Sequence, residues 1–363
     1  MSRRSRPPFR ADHVGSLLRP KSLLDLREKV EAGEAAPADL RVHEDECIAD
    51  VVKMQESVGL ESITDGEFRR GSFHGDFIRR IDGVEFKLLG RKEGAAPFAA
   101  VVSARMARPA GGIEVENFRF LHALTSRTAK QTIPSPTMTH FRGGRDAIDR
   151  KAYPDMDSFF ADLARVYREE VAGLAEAGCR YLQLDDTNLA YLCDERMRAA
   201  AEQRGEDLTK LPRDYAALIN ESIRGRPDEM AVCIHLCRGN ARSRWFAQGG
   251  YEPVAEVLFN EIDVDGFFLE YDDERSGDFS PLRFVPPDKA VVLGLLTTKR
   301  GELEGRDSVK RRVEEAARYI ELEQLCLSPQ CGFASASLGN LLTVDDQKRK
   351  LELVVELAAE IWG

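Results

Sequence analysis

Two short stretches carry the residues best suited to chemistry: Ile234-His235-Leu236-Cys237-Arg238-Gly239-Asn240 and, roughly a hundred residues later, Ser328-Pro329-Gln330-Cys331-Gly332-Phe333. A His and a Cys two apart, with a distant Cys beside a Gly, supply three ligands of the kind Zn²⁺ prefers. Each stands at the end of a short apolar run that reads as a buried strand. A carboxylate, Glu270, ends a third such run, Asp265-Gly266-Phe267-Phe268-Leu269-Glu270. Two thiolates already neutralise a divalent ion, and a carboxylate makes the site net negative. That leaves electron density on a bound substrate sulfur while the metal still lowers its pKa. Hydrolytic zinc more often has neutral His ligands and holds a water, so this set favours alkylation of a thiol. A closed structural zinc is the alternative, but such sites use close Cys pairs, which the chain lacks. Cys233 shares strand parity with His235 and Cys237 and is read as packing, one layer deeper.

Other polar residues stand where strands should end. Asp65-Gly66-Glu67 and Asp185-Asp186 put carboxylates there, suited to gripping an ammonium group or to capping helices. Ser16, after Gly15, can donate to a substrate carboxylate or simply complete a turn. His140 follows the third strand and is a candidate wall or acid–base residue, as is His74 after the second. Lys299 is a candidate proton donor or cation, or else a solvated Lys beside Arg300.

Positioning these residues requires many strands with their ends at one mouth. Strand-like runs occur at about 13–16, 62–65, 132–137, 180–185, 231–235, 266–270, 290–296 and 324–328, most followed by amphipathic stretches. Residues 156–177 carry Phe159, Phe160, Leu163, Val166, Tyr167, Val171 and Leu174 at helical spacing, and 306–319 begins with Asp307-Ser308, as a helix N-terminus should. Residues 20–58 have the length for two helices. Eight such units predict an α/β fold of the (β/α)₈ TIM-barrel type, with an open doubly wound sheet as the alternative, and chemistry at the C-terminal strand ends. Residues 83–124 break the alternation. Extended pieces at 84–88, 99–102 and 112–115 predict an insertion after the second strand, over the barrel mouth, within a single 1–363 catalytic domain.

The composition agrees. The 363 residues are 43% hydrophobic and 31% charged, with a formal net charge of −10, which argues against non-specific nucleic-acid binding. No apolar run reaches the roughly 20 residues of a membrane span. The basic start Met1-Ser2-Arg3-Arg4 has no apolar segment after it and reads as a short arm, not a secretory signal. The seven cysteines then read as thiols or ligands in a reducing, cytoplasmic setting. The arm and the insertion are the two features that could build a homodimer.

The chain resembles the cobalamin-independent methionine synthase family, in its short single-barrel branch. The resemblance rests on Ala11-Asp12-His13-Val14-Gly15-Ser16-Leu17-Leu18-Arg19-Pro20, Thr64-Asp65-Gly66-Glu67, Leu182-Gln183-Leu184-Asp185, His235-x-Cys237 and Ser328-Pro329-Gln330-Cys331-Gly332. It implies a zinc methyltransferase on a TIM barrel, passing a methyl group to the thiol of homocysteine to form methionine. It implies that His235, Cys237, Glu270 and Cys331 bind zinc, and that Ser16, Glu67 and Asp185 hold the amino-acid end of the acceptor. Three departures are visible. The chain matches only the catalytic half of the two-barrel members, which leaves methyltetrahydrofolate, a methyl-corrinoid or another donor open. The family's Asp-Glu-Pro reads Asp185-Asp186-Thr187. A His after the seventh strand, linked to protonation, is replaced by Lys299. The epoxyalkane–coenzyme M transferases are similar in metal motif and size, but their sulfonate-bearing thiol calls for cations where this chain has Glu67 and Asp185.

Overall fold

The computed structural model describes residues 4–88, 98–240 and 242–363. Ten strands are present among them: β1 (Ser62–Ile63), β2 (Asp82–Leu88), β3 (Phe98–Ala107), β4 (Thr128–Ala129), β5 (Gln131–Pro134), β6 (Tyr181–Asp186), β7 (Ala231–Leu236), β8 (Gly266–Glu270), β9 (Ala290–Leu296) and β10 (Leu325–Pro329). Six form one parallel sheet in the order β10-β9-β8-β7-β6-β5. Their apolar runs, such as Ala290–Leu296, are buried along their whole length, as parallel strands covered on both faces must be.

The sheet continues past both edges. Beyond β10, Leu327 exchanges backbone hydrogen bonds with Arg10 and Asp12, at 2.9 and 3.0 Å. Beyond β5, Lys130 N–H donates to Ile63 at 2.7 Å, and β4 pairs with β1 in parallel. Between the N-terminal segment and β1 the join is made by side chains: His13 Nε2 lies 3.1 Å from the Ser62 carbonyl, and Thr64 Oγ1 donates to Gly15 O at 2.7 Å. The expected first strand at 13–16 is therefore not a strand. Only Ala11 makes a bridge, and the chain turns away at Gly15 (φ +130°). The third strand also ends early. Pro134 stops it, and Pro136–Thr139 is a 3₁₀ turn.

Helices cover the outside. Met156–Glu176 is capped by Asp155, whose side chain accepts from Ser158 N–H at 2.7 Å. Its stripe Phe159, Leu163, Val166, Tyr167, Val171 and Leu174 is buried, each side chain worth about 1.5–3 kcal/mol. The 20–58 region is two helices, Lys21–Glu31 and Pro37–Ser57, and Arg306–Ala316 and Val344–Trp362 complete the C-terminal cover.

The expected insertion is only partly extended. β2 and β3 pair as an antiparallel hairpin, while residues 89–97 lie outside the described residues. Gly112 to Val115 is not an extended piece; a helix begins there, Val115–Leu124, and Glu170 accepts from the Ile113 and Glu114 N–H groups that lead into it. The hairpin packs through Phe86 on His74, with ring centroids 5.3 Å apart, and through Val102 on Ile148.

A buried charge cluster closes the ring. Asp12 accepts from Lys130 Nζ at 3.1 Å, Ser62 Oγ at 2.8 Å, Tyr181 OH at 2.8 Å and two backbone N–H groups. Lys130 sits between the Tyr181 and Phe268 rings, 4.8 and 4.2 Å from their centroids, and is fully buried. Asp12→Ala would leave Lys130 charged and unpaired, so it is expected to cost about 3–5 kcal/mol. Urea unfolding of the variant against the parent measures this; a loss under 1 kcal/mol contradicts it.

Candidate metal centre and thiol-binding cavity

The C-terminal ends of β6, β7, β8 and β10 converge. Asp185 and His235 are register partners on β6 and β7. Glu270 ends β8, and β10 shifts register between Ser328 and Pro329, which presents Cys331. Gly294 on β9 permits that shift, because a Cβ there would meet Gln330 Cα at 2.6 Å. Cys237 extends β7 through its N–H to Asp186 O at 2.8 Å.

The ligand atoms of His235, Cys237, Glu270 and Cys331 all lie within 4.8 Å of one another, and all four residues are buried. Cys237 and Cys331 Sγ are 3.3 Å apart, and His235 Nε2 is 3.8 Å from Glu270 Oε1. A tetrahedral zinc with bonds of about 2.0–2.3 Å holds its ligands about 3.3–3.8 Å apart. His235 Nε2 and both Glu270 oxygens are buried without a hydrogen-bond partner, a costly state for polar atoms that a shared cation would relieve. The set is thus consistent with the zinc site that its residue types suggested. His235 Nδ1 lies 3.2 Å from Asp185 Oδ1, an outer carboxylate that fixes the ring and leaves Nε2 for a metal.

Metal-free, the cluster holds protons. Burial disfavours the imidazolium of His235, but the adjoining carboxylates of Asp185 and Glu270 carry its pKa up to about 10. The hydrogen bond between the sulfurs lowers the Cys331 thiol and raises Cys237, so one proton leaves the pair far more easily than the second.

The cluster opens onto a cavity of about 1140 Å³. His235, Cys237 and Cys331 line it, together with Ser16, Glu67 and Asp185. The strand-end acids divide in two. Asp65 Oδ1 accepts the Glu67 N–H, and Asp186 accepts from Thr137 Oγ1 and Leu189 N–H, so both hold turns. Glu67 and Asp185 face the cavity. Glu67 adopts φ 60° after Gly66 at φ 66°, a left-handed pair that points its side chain inward. Its Oε1 accepts from Thr132 Oγ1 at 2.9 Å, while Oε2 has no partner. Burial lifts the Glu67 carboxyl to about 7, against the pull of Arg70, with Asp185 and Asp65 adding to the rise.

The sequence did not mark the residues that brace these groups. Gln183 Nε2 donates to Asp185 Oδ1 at 2.7 Å and to Val14 O at 2.6 Å. Arg19 donates to Glu67 O and Arg70 O, both at 2.7 Å, and to Ala334 O at 3.2 Å. Asn240 Nδ2 donates to Gly332 O at 3.0 Å, tying the two cysteine loops together. Gln183 is legible in hindsight as an amide inside an otherwise apolar strand.

Two expected site residues are not brought to the cavity. His140 is buried away from it, with Nδ1 2.9 Å from Tyr215 OH and its ring packed on Phe159 and Phe160. Burial and Arg204 hold its pKa down to about 4, which suits a neutral packing residue. Lys299 does not line the cavity either. Its ammonium is buried without a hydrogen bond among the described residues, and its charge acts on Glu270, Asp272 and Cys331. Cys233 packs with Tyr181, Phe268, Val292 and Cys326, as its parity implied.

A single parallel sheet thus brings His, Cys, Glu and Cys from its strand ends around one point, a candidate metal site. Residues 9–360 match the catalytic domain of the cobalamin-independent synthases, and the chain belongs to that family. It is 44% identical to the uncharacterized protein YxjH of Bacillus subtilis, over 98% of this chain and 95% of that one. It is 26% identical to the methionine synthase of Pyrococcus abyssi, over 88% of this chain and 84% of that one. The crystal structure of the putative vitamin-B12 independent methionine synthase from Listeria monocytogenes matches with a TM-score of 0.80 at 39% identity, covering 99% of each chain. The B12-independent methionine synthase from Shewanella sp. W3-18-1, solved with selenomethionine, shares the fold with a TM-score of 0.74 at 18% identity, covering 97% of each chain.

Two outcomes are expected from this geometry. A Cβ at Gly332 would lie 1.9 Å from Ser16 Oγ. Gly332→Ala should therefore destabilise, and adding Ser16→Ala should restore more than about 1 kcal/mol of the loss; additive urea-unfolding energies would refute the contact. The second outcome concerns pH. A carboxyl at about 7 in the folded chain, against its ordinary value near 4.5 unfolded, withdraws stability as pH rises through that window. The full effect is about 3 kcal/mol in the metal-free protein. Glu67→Gln should flatten that part of the stability–pH curve.

Proposed function

We propose that the protein is a zinc-dependent methyltransferase that passes a methyl group to the thiol of homocysteine, giving methionine. The observation that carries this reading is the opening of a two-thiolate metal cluster onto the cavity that also presents Ser16, Glu67 and Asp185. A structural metal would be enclosed by its own ligands, whereas three of these four line a cavity with room for a substrate.

His235, Cys237, Glu270 and Cys331 would hold the zinc, which supplies the Lewis acidity that keeps a bound thiol deprotonated at neutral pH. The remaining steps belong to the chain. Glu67 and Asp185 receive the ammonium of the amino acid. Glu67 holds a proton on its carboxyl near neutrality, and an arriving ammonium beside Oε2 favours the carboxylate, so binding releases that proton. Ser16 Oγ, with no hydrogen bond to divert it, donates to the substrate carboxylate. Burial of these groups excludes water and fixes the sulfur for in-line attack on the donor methyl. A sulfonate-bearing thiol would instead meet two carboxylates at this end of the cavity. The hairpin of β2 and β3 serves as an insertion within the one catalytic domain, bracing the His74 side of the cavity wall.

The reading is tested by X-ray absorption at the zinc edge of the metal-loaded protein. One additional sulfur ligand is expected on adding homocysteine, and an unchanged shell sets the homocysteine reading aside. In parallel, Glu67→Ala should weaken homocysteine binding by roughly ten- to a hundredfold, as loss of a charged hydrogen bond does, while leaving the zinc content intact.

A further inference from the structure

His74 is the one histidine other than His235 that lines the cavity among the described residues. Its placement is built rather than incidental. The ring is clamped by Phe73 at 4.5 Å and by Phe86 at 5.3 Å, and the residue is 6% exposed. Nδ1 lies 3.2 Å from Ser72 Oγ, and that oxygen accepts the Gly75 N–H at 3.3 Å. Gly75 occupies one lone pair of that oxygen; in the tautomer in which the Ser72 hydroxyl donates its hydrogen to Nδ1, Nε2 carries the ring hydrogen. Nε2 is buried and has no partner among the described residues.

The surroundings of this N–H are cationic. Burial, then Arg142, then Arg79 push the His74 pKa well below its ordinary value, so the ring is neutral at physiological pH. It cannot act as an imidazolium acid, but it remains a hydrogen-bond donor. Arg142 also lines the cavity, and its Nε is buried without a partner. Arg79 is held by Asp76 at 3.5 Å and by Gly75 O. Asp146, an acid on the same rim, is solvated and pairs with Arg150 at 3.5 Å. Two unpartnered donors in a positive field call for an acceptor bearing negative charge.

We propose that His74 Nε2–H and Arg142 form a donor-only subsite that holds an anionic oxygen of the methyl donor. This rests on the methyltransferase reading above, and it sets the substrate's second half apart from the thiol half. The amino-acid end sits on Glu67, Asp185 and Ser16, where the protein offers mainly acceptors. The donor molecule sits where His74 and Arg142 supply donors, with Asp146 turned to solvent on the rim. The two substrates are thereby sorted by the sign of the groups they present.

The test uses the zinc-loaded full chain and two probes, methyltetrahydrofolate, which carries carboxylates, and methylcobalamin, which carries a phosphodiester. Binding of each is measured by calorimetry for the parent, His74→Leu and His74→Gln; the glutamine amide can present an N–H near the Nε2 position. The expected result is that the parent binds one probe, which names the source of the oxygen. His74→Leu should then lose at least tenfold in affinity for it, and His74→Gln less than threefold. Homocysteine uptake at the zinc edge should be unchanged in all three. Binding of neither probe by the parent overturns the proposal, as does unchanged affinity in His74→Leu or equal loss in both variants with melting temperatures preserved. Failure of homocysteine to enter the zinc shell of the parent would sink the methyltransferase reading instead, and the probe affinities would still report on the subsite.

Discussion

The buried pair of Asp12 and Lys130 is the interaction on which the rest depends. Burying two charges is expensive, and it is tolerated here because Asp12 gathers five donors at once. Those donors come from the N-terminal segment, β1, the residue after β4, and β6. One carboxylate thus pins four parts of the ring that backbone ladders alone leave open. The consequence reaches the opposite end of the sheet. With Asp12 fixed, Ser16 arrives against Gly332, so the serine of the cavity stands beside the cysteine loop of the candidate metal site.

Around the cavity, charge is distributed by depth. The candidate metal cluster is negative when its four groups are deprotonated, and the charges of Lys299 and Arg238 act on Glu270. Arg70 and Arg19 grip the loop that carries Glu67 and share their hydrogen bonds with Thr132 and with backbone carbonyls. The acid is therefore buried without being fully neutralised, which is why it titrates near neutrality. A tighter ion pair with Arg70, now at 3.6 Å, would have fixed it as a carboxylate with no capacity to respond to an arriving cation.

The alternation of apolar runs and amphipathic stretches made the parallel sheet and its principal helices legible, and residue types made the four clustered side chains of the candidate metal site legible. What remained hidden was set by contacts between distant segments. The run at 13–16 looks like a strand, yet Gly15 turns it and side chains of His13 and Thr64 make the join. Residues 112–115 look extended, but the carboxylate of Glu170, over fifty residues away, accepts the N–H groups that lead into a helix. Lys299 and His140 stand at strand ends in sequence, as a catalytic acid would. His140 instead packs on Tyr215, Phe159 and Phe160, and Lys299 is not among the residues lining the cavity, directions that spacing does not encode. Of the adjacent acids in each pair, only packing decides which holds a turn and which faces the substrate.

The bond between Leu327 and the Arg10–Asp12 segment also orders events in time. A ribosome delivers Asp12, Glu67, Asp185, His235 and Glu270 before Cys331, and the last strand before it, β10, is the one that receives the N-terminal segment. Until that stretch has emerged, neither ring closure nor the fourth of the clustered side chains is available. A shorter nascent chain holds at most three of the four donors, with both edges of its sheet unjoined. An ion held by all four side chains would therefore need the same stretch that closes the ring.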